Sequence, residues 1–419
     1  MMKGKELNRM GIRILGIMIS CLLLLCSFSL AEEASGLPAS DEAETEWVRV
    51  AVEDNSGLSE EELAAGYINQ ILFPGRKTIK KAPKPQGQNL SGANLNMYTK
   101  LREKVADIAN ATLTSTELSF PFEDIYPQLS FAAADLGVAS ILTQTGELAD
   151  GVEQALADYR ATLQMDAVLN SLMADCPYEL YWYDKTAGTQ TQYGHGFSVS
   201  GDGLTITMRG TFFITMTVSR NYALSTDNGD LDLYQVDPKY GQGVQAAAAN
   251  AQEIVDQYEG QDNYERLLAY KDEICNLVSY NYDAAYGDDV PYGDPWQMIW
   301  VFDGDDSTNV VCEGYAKAFK YLNDLSAGSA TVICAEGYMD SGRHMWNIVT
   351  IDGRNYLVDV TNCDDGTIGY PEELFMVGSD DGDFINGYYF TANGEAILYA
   401  YDHNNSIYSD NQLTISDVD

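Results

Sequence analysis

The sequence predicts an α+β protein with two separate domains, and three observations support this fold class. The chain has 419 residues, 45% of them apolar and 21% charged, which is enough to bury two domain-sized cores. Apolar residues recur at helical spacing up to about residue 174 and alternate with polar residues after Pro177. Near the C-terminus, a helix that starts at Cys312 is followed by a predicted β-hairpin.

Residues 1–31 are predicted to be a signal peptide. A basic start leads into an apolar run over residues 14–30, and small residues favour cleavage after Ala31. An uncleaved membrane anchor and lipidation at Cys26 are the alternatives, although Leu25 stands where a lipoprotein signal usually has a small residue. Each alternative implies export, so we expect an extracellular, secreted or cell-surface protein.

The net charge of −39 argues against two classes of partner. So acidic a surface repels nucleic acid and anionic lipid. No apolar run after residue 31 is long enough to span a bilayer. We therefore expect no nucleic acid partner, and no membrane contact beyond the signal peptide.

Four segments follow the signal peptide. Residues 32–89 are predicted to be an acidic leader, with a short helix over residues 59–72 and a linker rich in proline and lysine. The remaining three are an N-terminal α+β domain (90–225), a connecting segment with a helix (226–259) and a C-terminal domain (260–419).

The N-terminal domain is predicted to begin with helices and to end with strands. One helix has its apolar face formed by Leu95, Tyr98, Leu101, Val105, Ile108 and Ala109. A second helix spans about residues 152–174. Alternation predicts strands over residues 180–186, 197–200, 204–208 and 212–218. Two further helices, over residues 244–258 and 264–278, lead into the C-terminal domain.

Cys312 is the candidate nucleophile. A cysteine attacks acyl groups as the thiolate, which a helix N-terminus and a neighbouring histidine both stabilise. Apolar residues recur at helical spacing from Cys312 to Leu325, and Gly328 lies just past the end. The sulfur is therefore predicted to lie in the first turn, where unpaired N–H groups favour negative charge. The alternative is a buried, inert cysteine that starts a core helix.

A hairpin downstream supplies a histidine and a carboxylate. Residues 344–360 alternate on both sides of a two-residue Asp-Gly turn. In that register His344 faces Thr361 and Trp346 faces Asp359, so His344 and Asp359 share a face, with about 7–8 Å between their backbones. A slip of one residue would place them on opposite faces.

Three sequence blocks resemble the bacterial transglutaminase-like superfamily. They are Cys312-Glu313-Gly314-Tyr315-Ala316, His344-Met345-Trp346-Asn347 and Tyr356-Leu357-Val358-Asp359-Val360-Thr361. The blocks occur in the family's order within about residues 260–400, and Met345, where the family often has alanine, is the one departure. The resemblance implies a papain-like α+β core. It also implies that Cys312 is the nucleophile, His344 the general base and then acid, and Asp359 the residue that orients the imidazole.

Five other residues of these blocks are expected to shape the site: Gly314, Tyr315, Trp346, Asn347 and Thr361. Trp346 is predicted to pack around the site, and Asn347 to make structural hydrogen bonds on the opposite face. The Thr361 hydroxyl is expected to hydrogen-bond a backbone group of the strand. Glu313 is predicted to interact with the helix dipole and not to act as an acid. The backbone N–H of Cys312 is the expected oxyanion donor, whereas Trp296 and Trp300 are expected to be core aromatics.

No cofactor or metal is expected. Four further cysteines follow the signal peptide: Cys176, Cys275, Cys334 and Cys363. They lack C-x-x-C spacing, and export leaves open whether they pair as disulfides. His195 and His403 are predicted to be exposed. Calcium is the alternative for the Asp-rich residues 303–306 and 380–383, but neither stretch has an EF-hand glutamate, so we expect solvated turns.

The predicted function is that of an exported cysteine-nucleophile enzyme, of transglutaminase or cysteine-protease type. Its substrate would be a protein or peptide carboxamide, for instance at the cell wall. A thioester intermediate would form, and water and an amine both remain open as its acceptor. The alternative is a non-catalytic surface module that binds peptide or polymer on the same fold. No oligomeric state is predicted.

Overall fold

The computed structural model describes residues 46–52, 86–287, 290–326, 328–403, 408 and 413–417, with the backbone alone for residues 46–52. The predicted signal peptide, the helix over residues 59–72 and the basic linker lie outside these residues. No helix in the described part of the chain is long and apolar enough to cross a bilayer. Helix and mostly antiparallel sheet are mixed along the chain, which confirms the α+β class.

The first half of the chain contains one larger sheet and several helices. Its strands are β1 (Glu46–Val52), β2 (Glu117–Pro121), β3 (Ser130–Ala132), β4 (Thr189–Val199), β5 (Thr205–Met216), β6 (Ala223–Ser225) and β7 (Leu231–Val236). Its helices are α1 (Gly92–Ala109), α2 (Phe122–Ile125), α3 (Val152–Arg160) and α4 (Met165–Asp175). The sheet runs β1-β4-β5-β2, and β3 also pairs with β5. Helix α1 buries the predicted face except for Leu95, which is exposed.

The strands predicted over residues 204–208 and 212–218 are one continuous strand, β5. The sequence interpretation was wrong because it took the region around Gly210 as a break. Gly210 is instead a point of close approach, since a side chain there would collide with the facing strand and with the ring of Phe122.

Residues 180–186, predicted to be a strand, form turns. Four consecutive side chains are buried here: Leu180, Tyr181, Trp182 and Tyr183. A strand with two different faces does not bury four side chains in a row, so alternation misled the prediction. The helix predicted over residues 152–174 is interrupted at residues 161–164, where the Thr162 hydroxyl donates to the Tyr159 carbonyl.

The second half places helices beside a second sheet. Its helices are α5 (Tyr240–Gln257), α6 (Asn263–Leu277), α7 (Tyr282–Tyr286) and α8 (Cys312–Leu325). Its strands are β8 (Ser279–Tyr280), β9 (Asn309–Val310), β10 (Thr331–Met339), β11 (Gly342–Ile351), β12 (Arg354–Val358), β13 (Phe375–Val377), β14 (Asp381–Asp383), β15 (Gly387–Ala392) and β16 (Glu395–Tyr401). Within the described residues, seven of these strands form one antiparallel sheet in the order β13-β12-β11-β10-β16-β15-β14. The predicted helices α5, α6 and α8 are confirmed within a few residues.

The hairpin of β11 and β12 has the predicted register. Its pairs run from Ile351 with Arg354 to Asn347 with Val358. The ladder then ends, so the predicted pairs that involve Asp359 and Thr361 do not form. The chain turns instead into a 3₁₀ helix, Thr361–Cys363, in which the Cys363 N–H donates to the Asp359 carbonyl at 3.1 Å.

Buried apolar residues of both halves belong to one core within the described residues. The rings of Tyr178 and Tyr321 stack with centroids 5.0 Å apart. The Ser219 hydroxyl donates to the Tyr292 carbonyl at 2.6 Å. The two halves therefore share packing and hydrogen bonds, and the predicted domain boundaries near residues 225 and 260 stay a prediction.

Candidate active site

Cys312 is the first residue of α8, as the helical spacing predicts. Val311, the residue before it, is extended, and its side chain offers no cap to the first turn. The Cys312 N–H has no hydrogen-bond acceptor within the described residues. The sulfur and a free N–H group thus lie together at the positive end of the helix dipole.

Gly314 holds the start of α8 close to the preceding strand. A Cβ atom at this position would lie 2.8 Å from Cβ of Val310 and 3.3 Å from the Pro295 carbonyl oxygen. Contacts this short would push the first turn of the helix away from β9. Close packing therefore explains why the Gly-Tyr-Ala block begins with a glycine. This glycine is two residues from Cys312.

His344 connects Cys312 with Asp359. Its Nε2 atom donates to Oδ2 of Asp359 at 2.7 Å, and its ring also interacts with the Cys312 side chain. Because Nε2 is engaged by the carboxylate, Nδ1 is the nitrogen left for the sulfur. The side chain of His344 is only 8% exposed and that of Asp359 is fully buried. The structure thus brings the three predicted residues together.

Two residues that the sequence analysis missed complete the surroundings of Asp359. The Tyr399 hydroxyl donates to Oδ2 of Asp359 at 2.6 Å, and Asn362 Nδ2 donates to the same oxygen at 2.7 Å. The Asn362 backbone N–H donates to Oδ1 at 3.2 Å. Both carboxylate oxygens are therefore satisfied, and the carboxylate has one fixed orientation toward His344.

The electrostatics of the pair favour charge on both partners. Burial alone disfavours the imidazolium, but the Asp359 charge and then the Cys312 charge outweigh it and raise the pKa of His344 to about 10. Burial likewise disfavours the carboxylate. The His344 charge and the hydrogen bonds from His344, Tyr399 and Asn362 nevertheless hold the pKa of Asp359 below its ordinary value. A protonated histidine beside an ionised aspartate is the expected resting state.

Asn347 and Trp346 have the places predicted for them. Asn347 is fully buried, and its Nδ2 donates at 2.9 Å to the carbonyl of Ala316, one turn past Cys312. This bond ties β11 to α8. Trp346 is buried, with its ring stacked on that of His344 at 6.2 Å and edge to face with that of Tyr399 at 5.2 Å. The two residues fix the strand that carries the histidine.

Thr361 does not make the contact expected of it, and Tyr315 makes a contact that the sequence did not predict. The Thr361 hydroxyl is buried and has no hydrogen-bond partner among the described residues, so it does not satisfy strand backbone as predicted. The Tyr315 hydroxyl donates at 2.6 Å to Asp364, in the loop that follows Asn362. Tyr315 thereby ties the first turn of α8 to the segment that carries Asp359.

Tyrosine rings lead from the site to the surface. Tyr280 pairs with Val310 on the parallel strands β8 and β9, two residues before Cys312. Burial and then the Cys312 charge raise the pKa of Tyr280. Its ring contacts that of Tyr282, which stacks on Tyr286, and both of these are well exposed.

The remaining candidates are structural or are engaged elsewhere. Trp300 donates through Nε1 to the Tyr222 hydroxyl at 2.6 Å, so this N–H is taken. The five described cysteines are free thiols. Among the described residues no group of three or more His, Cys, Asp or Glu side chains has the geometry of a metal site. The carboxylates of Asp303 and Asp383 accept hydrogen bonds from their own turns.

Tyr399→Phe is predicted to weaken both stability and the site. The variant removes one donor from the buried Asp359 carboxylate, and a hydrogen bond to a charged group contributes about 1.5–3 kcal/mol. We expect a loss of that size in the free energy of unfolding, measured with urea. Tyr389→Phe, at an exposed position on β15, should change it by less than about 0.5 kcal/mol. Equal unfolding midpoints for the two variants would contradict the role given to Tyr399.

The His344–Asp359 pair predicts a pH-dependent stability. The pKa of His344 rises from 6.5 to about 10, so its contribution is complete below pH 6.5 and is lost as the pH rises through 10. The pKa of Asp359 falls, so its contribution is present above 3.8 and is lost in acid. The difference in unfolding free energy between wild type and His344→Ala should be largest between about pH 4 and 6.5 and shrink toward pH 10. A constant difference would contradict the pairing.

Comparison with known proteins adds one weak structural similarity to these observations. No protein-family model matches the chain, and no curated protein matches it. A solved structure titled "Crystal structure of a TGase" is similar to it with a TM-score of 0.24 and 14% identity, over 43% of this chain and 48% of that one. The similar part spans about half of that chain, and the similarity is weak.

Proposed function

We propose that the protein is a cysteine-dependent acyl-transfer enzyme that acts on carboxamides of peptides or proteins. One observation carries the proposal: His344 lies between the sulfur of a helix N-terminus and a buried, fully hydrogen-bonded carboxylate. Such a carboxylate costs free energy to bury, and the three donors other than His344 orient it toward one imidazole. A histidine held in this way can shuttle protons to and from a neighbouring thiol.

The proposed reaction has two steps. The Cys312 thiolate attacks the carboxamide carbon, and the oxyanion that forms accepts a hydrogen bond from the Cys312 N–H. The C–N bond breaks as imidazolium 344 gives its proton to the leaving amine or ammonia, which leaves an acyl-thioester. Neutral His344 then takes a proton from water or from an amine, and that nucleophile displaces the sulfur. Water yields a carboxylate, and a lysine amine yields an isopeptide bond.

A peptide mixture with and without a primary amine, analysed by mass spectrometry, tests the proposal. Ammonia release with amine incorporation identifies transamidation, ammonia release alone identifies deamidation, and new peptide termini identify backbone hydrolysis. Cys312→Ala should abolish each product. Cys176→Ala removes a buried thiol in the first half of the chain and should keep the activity. Absence of every product with the wild type would favour the non-catalytic binding module.

We also propose that the protein acts outside the cell, on protein or peptide substrates that include cell-wall components. The basic and then apolar start of the sequence supports export. N-terminal sequencing of protein recovered from the culture medium tests this. A mature chain that starts at Glu32 is expected, and protein retained in the cytosol with Met1 would contradict it.

A further inference from the structure

A cluster of charged side chains lies directly behind the candidate nucleophile. Glu313, the residue after Cys312, accepts from Lys185 at 3.0 Å through Oε2 and from Lys317 at 2.7 Å through Oε1. Lys185 also contacts Glu336 of β10 at 2.6 Å. The side chain of Glu313 is only 7% exposed, and those of Lys317 and Lys185 are 13% and 20% exposed. The proposed mechanism uses none of these groups.

Two uncharged side chains also hydrogen-bond within this charged cluster. The Tyr292 hydroxyl donates to Oε1 of Glu313 at 2.7 Å, and Gln297 accepts from Lys317 at 3.3 Å and donates to Tyr292 at 3.4 Å. Burial opposes the charge on Glu313, but Lys185 and then Lys317 bring its pKa down to about 2. Glu313 is therefore ionised wherever Cys312 is expected to react.

An ionised carboxylate next to the nucleophile has a consequence for the thiolate. Like charges in a partly buried site repel, so an uncompensated Glu313 would oppose the negative sulfur and offset the helix dipole. The two lysines neutralise it. Lys317 belongs to α8 itself, four residues after Glu313, whereas Lys185 comes from the turns that follow α4 in the first half of the chain.

We propose that Lys185 is a positioning residue for Cys312. It neutralises Glu313, the residue that follows the nucleophile, and its second contact is with Glu336 of β10, the strand that pairs with the His344 strand. The first half of the chain thereby supplies a group on which the reactivity of the nucleophile depends. This inference rests on the proposed function, because it assumes that Cys312 reacts as a thiolate.

The rate of carbamidomethylation of Cys312 at pH 7, in the folded full-length chain, tests the proposal without any substrate. Lys185→Met removes the charge and keeps the length, and it should lower the rate about tenfold. Lys185→Arg keeps the charge and should stay within about threefold of the wild type. Lys239→Met, at an exposed lysine paired with Asp237, is the matched control and should change nothing.

A double variant separates charge from packing. Lys185→Met combined with Glu313→Gln restores the charge balance and should recover most of the lost rate. A packing role predicts instead that the double variant is no faster than Lys185→Met, and that result would overturn the proposal. A wild-type rate in folded Lys185→Met would also overturn it and leave the proposed function intact. A wild-type Cys312 no more reactive than the buried thiols would overturn both.

Discussion

Replacing His344 with alanine is expected to lower kcat/KM by about 10⁴-fold or more. The ring hydrogen-bonds the Asp359 carboxylate and interacts with the Cys312 side chain. Without it, the sulfur loses the base that ionises it and the leaving amine loses its proton donor. Steady-state kinetics with a glutamine peptide and a primary amine measures the loss.

Two control variants test whether the loss of activity is specific to the role of His344. His195→Ala changes a histidine of β4, in the other sheet, and should keep activity within about threefold of the wild type. Combining His344→Ala with Cys312→Ala should cost no more than the larger single loss, because residues that act as a unit are not additive. Activity of His344→Ala within tenfold of the wild type would contradict the proposed role of the imidazole.

Asp359→Asn is expected to reduce kcat by about 10³- to 10⁴-fold, with a smaller change in KM. The amide has almost the shape of the carboxylate but carries no charge. Its oxygen accepts more weakly from His344, Tyr399 and Asn362, and its NH₂ group meets the Asn362 N–H, which is another donor. The imidazolium is then no longer stabilised, and the neutral imidazole is no longer held in one tautomer.

A second measurement separates this effect from unfolding. The pKa of His344 should fall from about 10 toward its ordinary value in Asp359→Asn, and titration of the ring by NMR reads it directly. Asp383→Asn changes an exposed carboxylate that accepts bonds from its own turn, and it should leave both kcat and that titration unchanged. A His344 titration unaffected by Asp359→Asn would show that the carboxylate does not control the ring.

The candidate triad could be predicted because each of its parts has a local signal. The helical spacing after Cys312 fixes where α8 begins, and the Asp-Gly turn fixes the pairs of β11 and β12 from Ile351 with Arg354 onward. Since the register sets the face of each side chain, His344 and Asp359 meet although the ladder itself ends before Asp359. The prediction therefore succeeded on register and was wrong only about how far the return strand extends.

The supporting residues could not be predicted, because sheet topology brings them in from distant parts of the chain. Tyr399 reaches Asp359 because β16 pairs with β10, next to β11. Gly337 permits that pairing, since a side chain there would collide with the backbone of Ala400. No spacing in the sequence predicts the contact between Tyr399 and Asp359, which are 40 positions apart. Asn362, only three residues from Asp359, was missed because a strand was expected where the chain turns.

Lys185 was missed for a related reason. The aromatic residues before it alternate weakly and suggested a strand, but they are buried as a block within turns. Lys185 lies in a turn that contacts Glu313, and the region around this turn contains none of the three sequence blocks that resemble a known family. Sequence spacing describes one element at a time, whereas charge pairing between distant turns depends on the packing of the whole chain.

The central claim is that the environment of Cys312 makes it a nucleophile, and iodoacetamide labelling resolved by residue tests it most directly. Burial raises the pKa values of Cys176, Cys334 and Cys363 to about 12, and that of Cys275 as well, so these four thiols serve as internal controls. At pH 7 we expect Cys312 to be alkylated at least about tenfold faster than the other four, and His344→Ala to remove the difference. Equal rates at all five thiols, or a fast Cys312 that is indifferent to His344→Ala, would contradict the account.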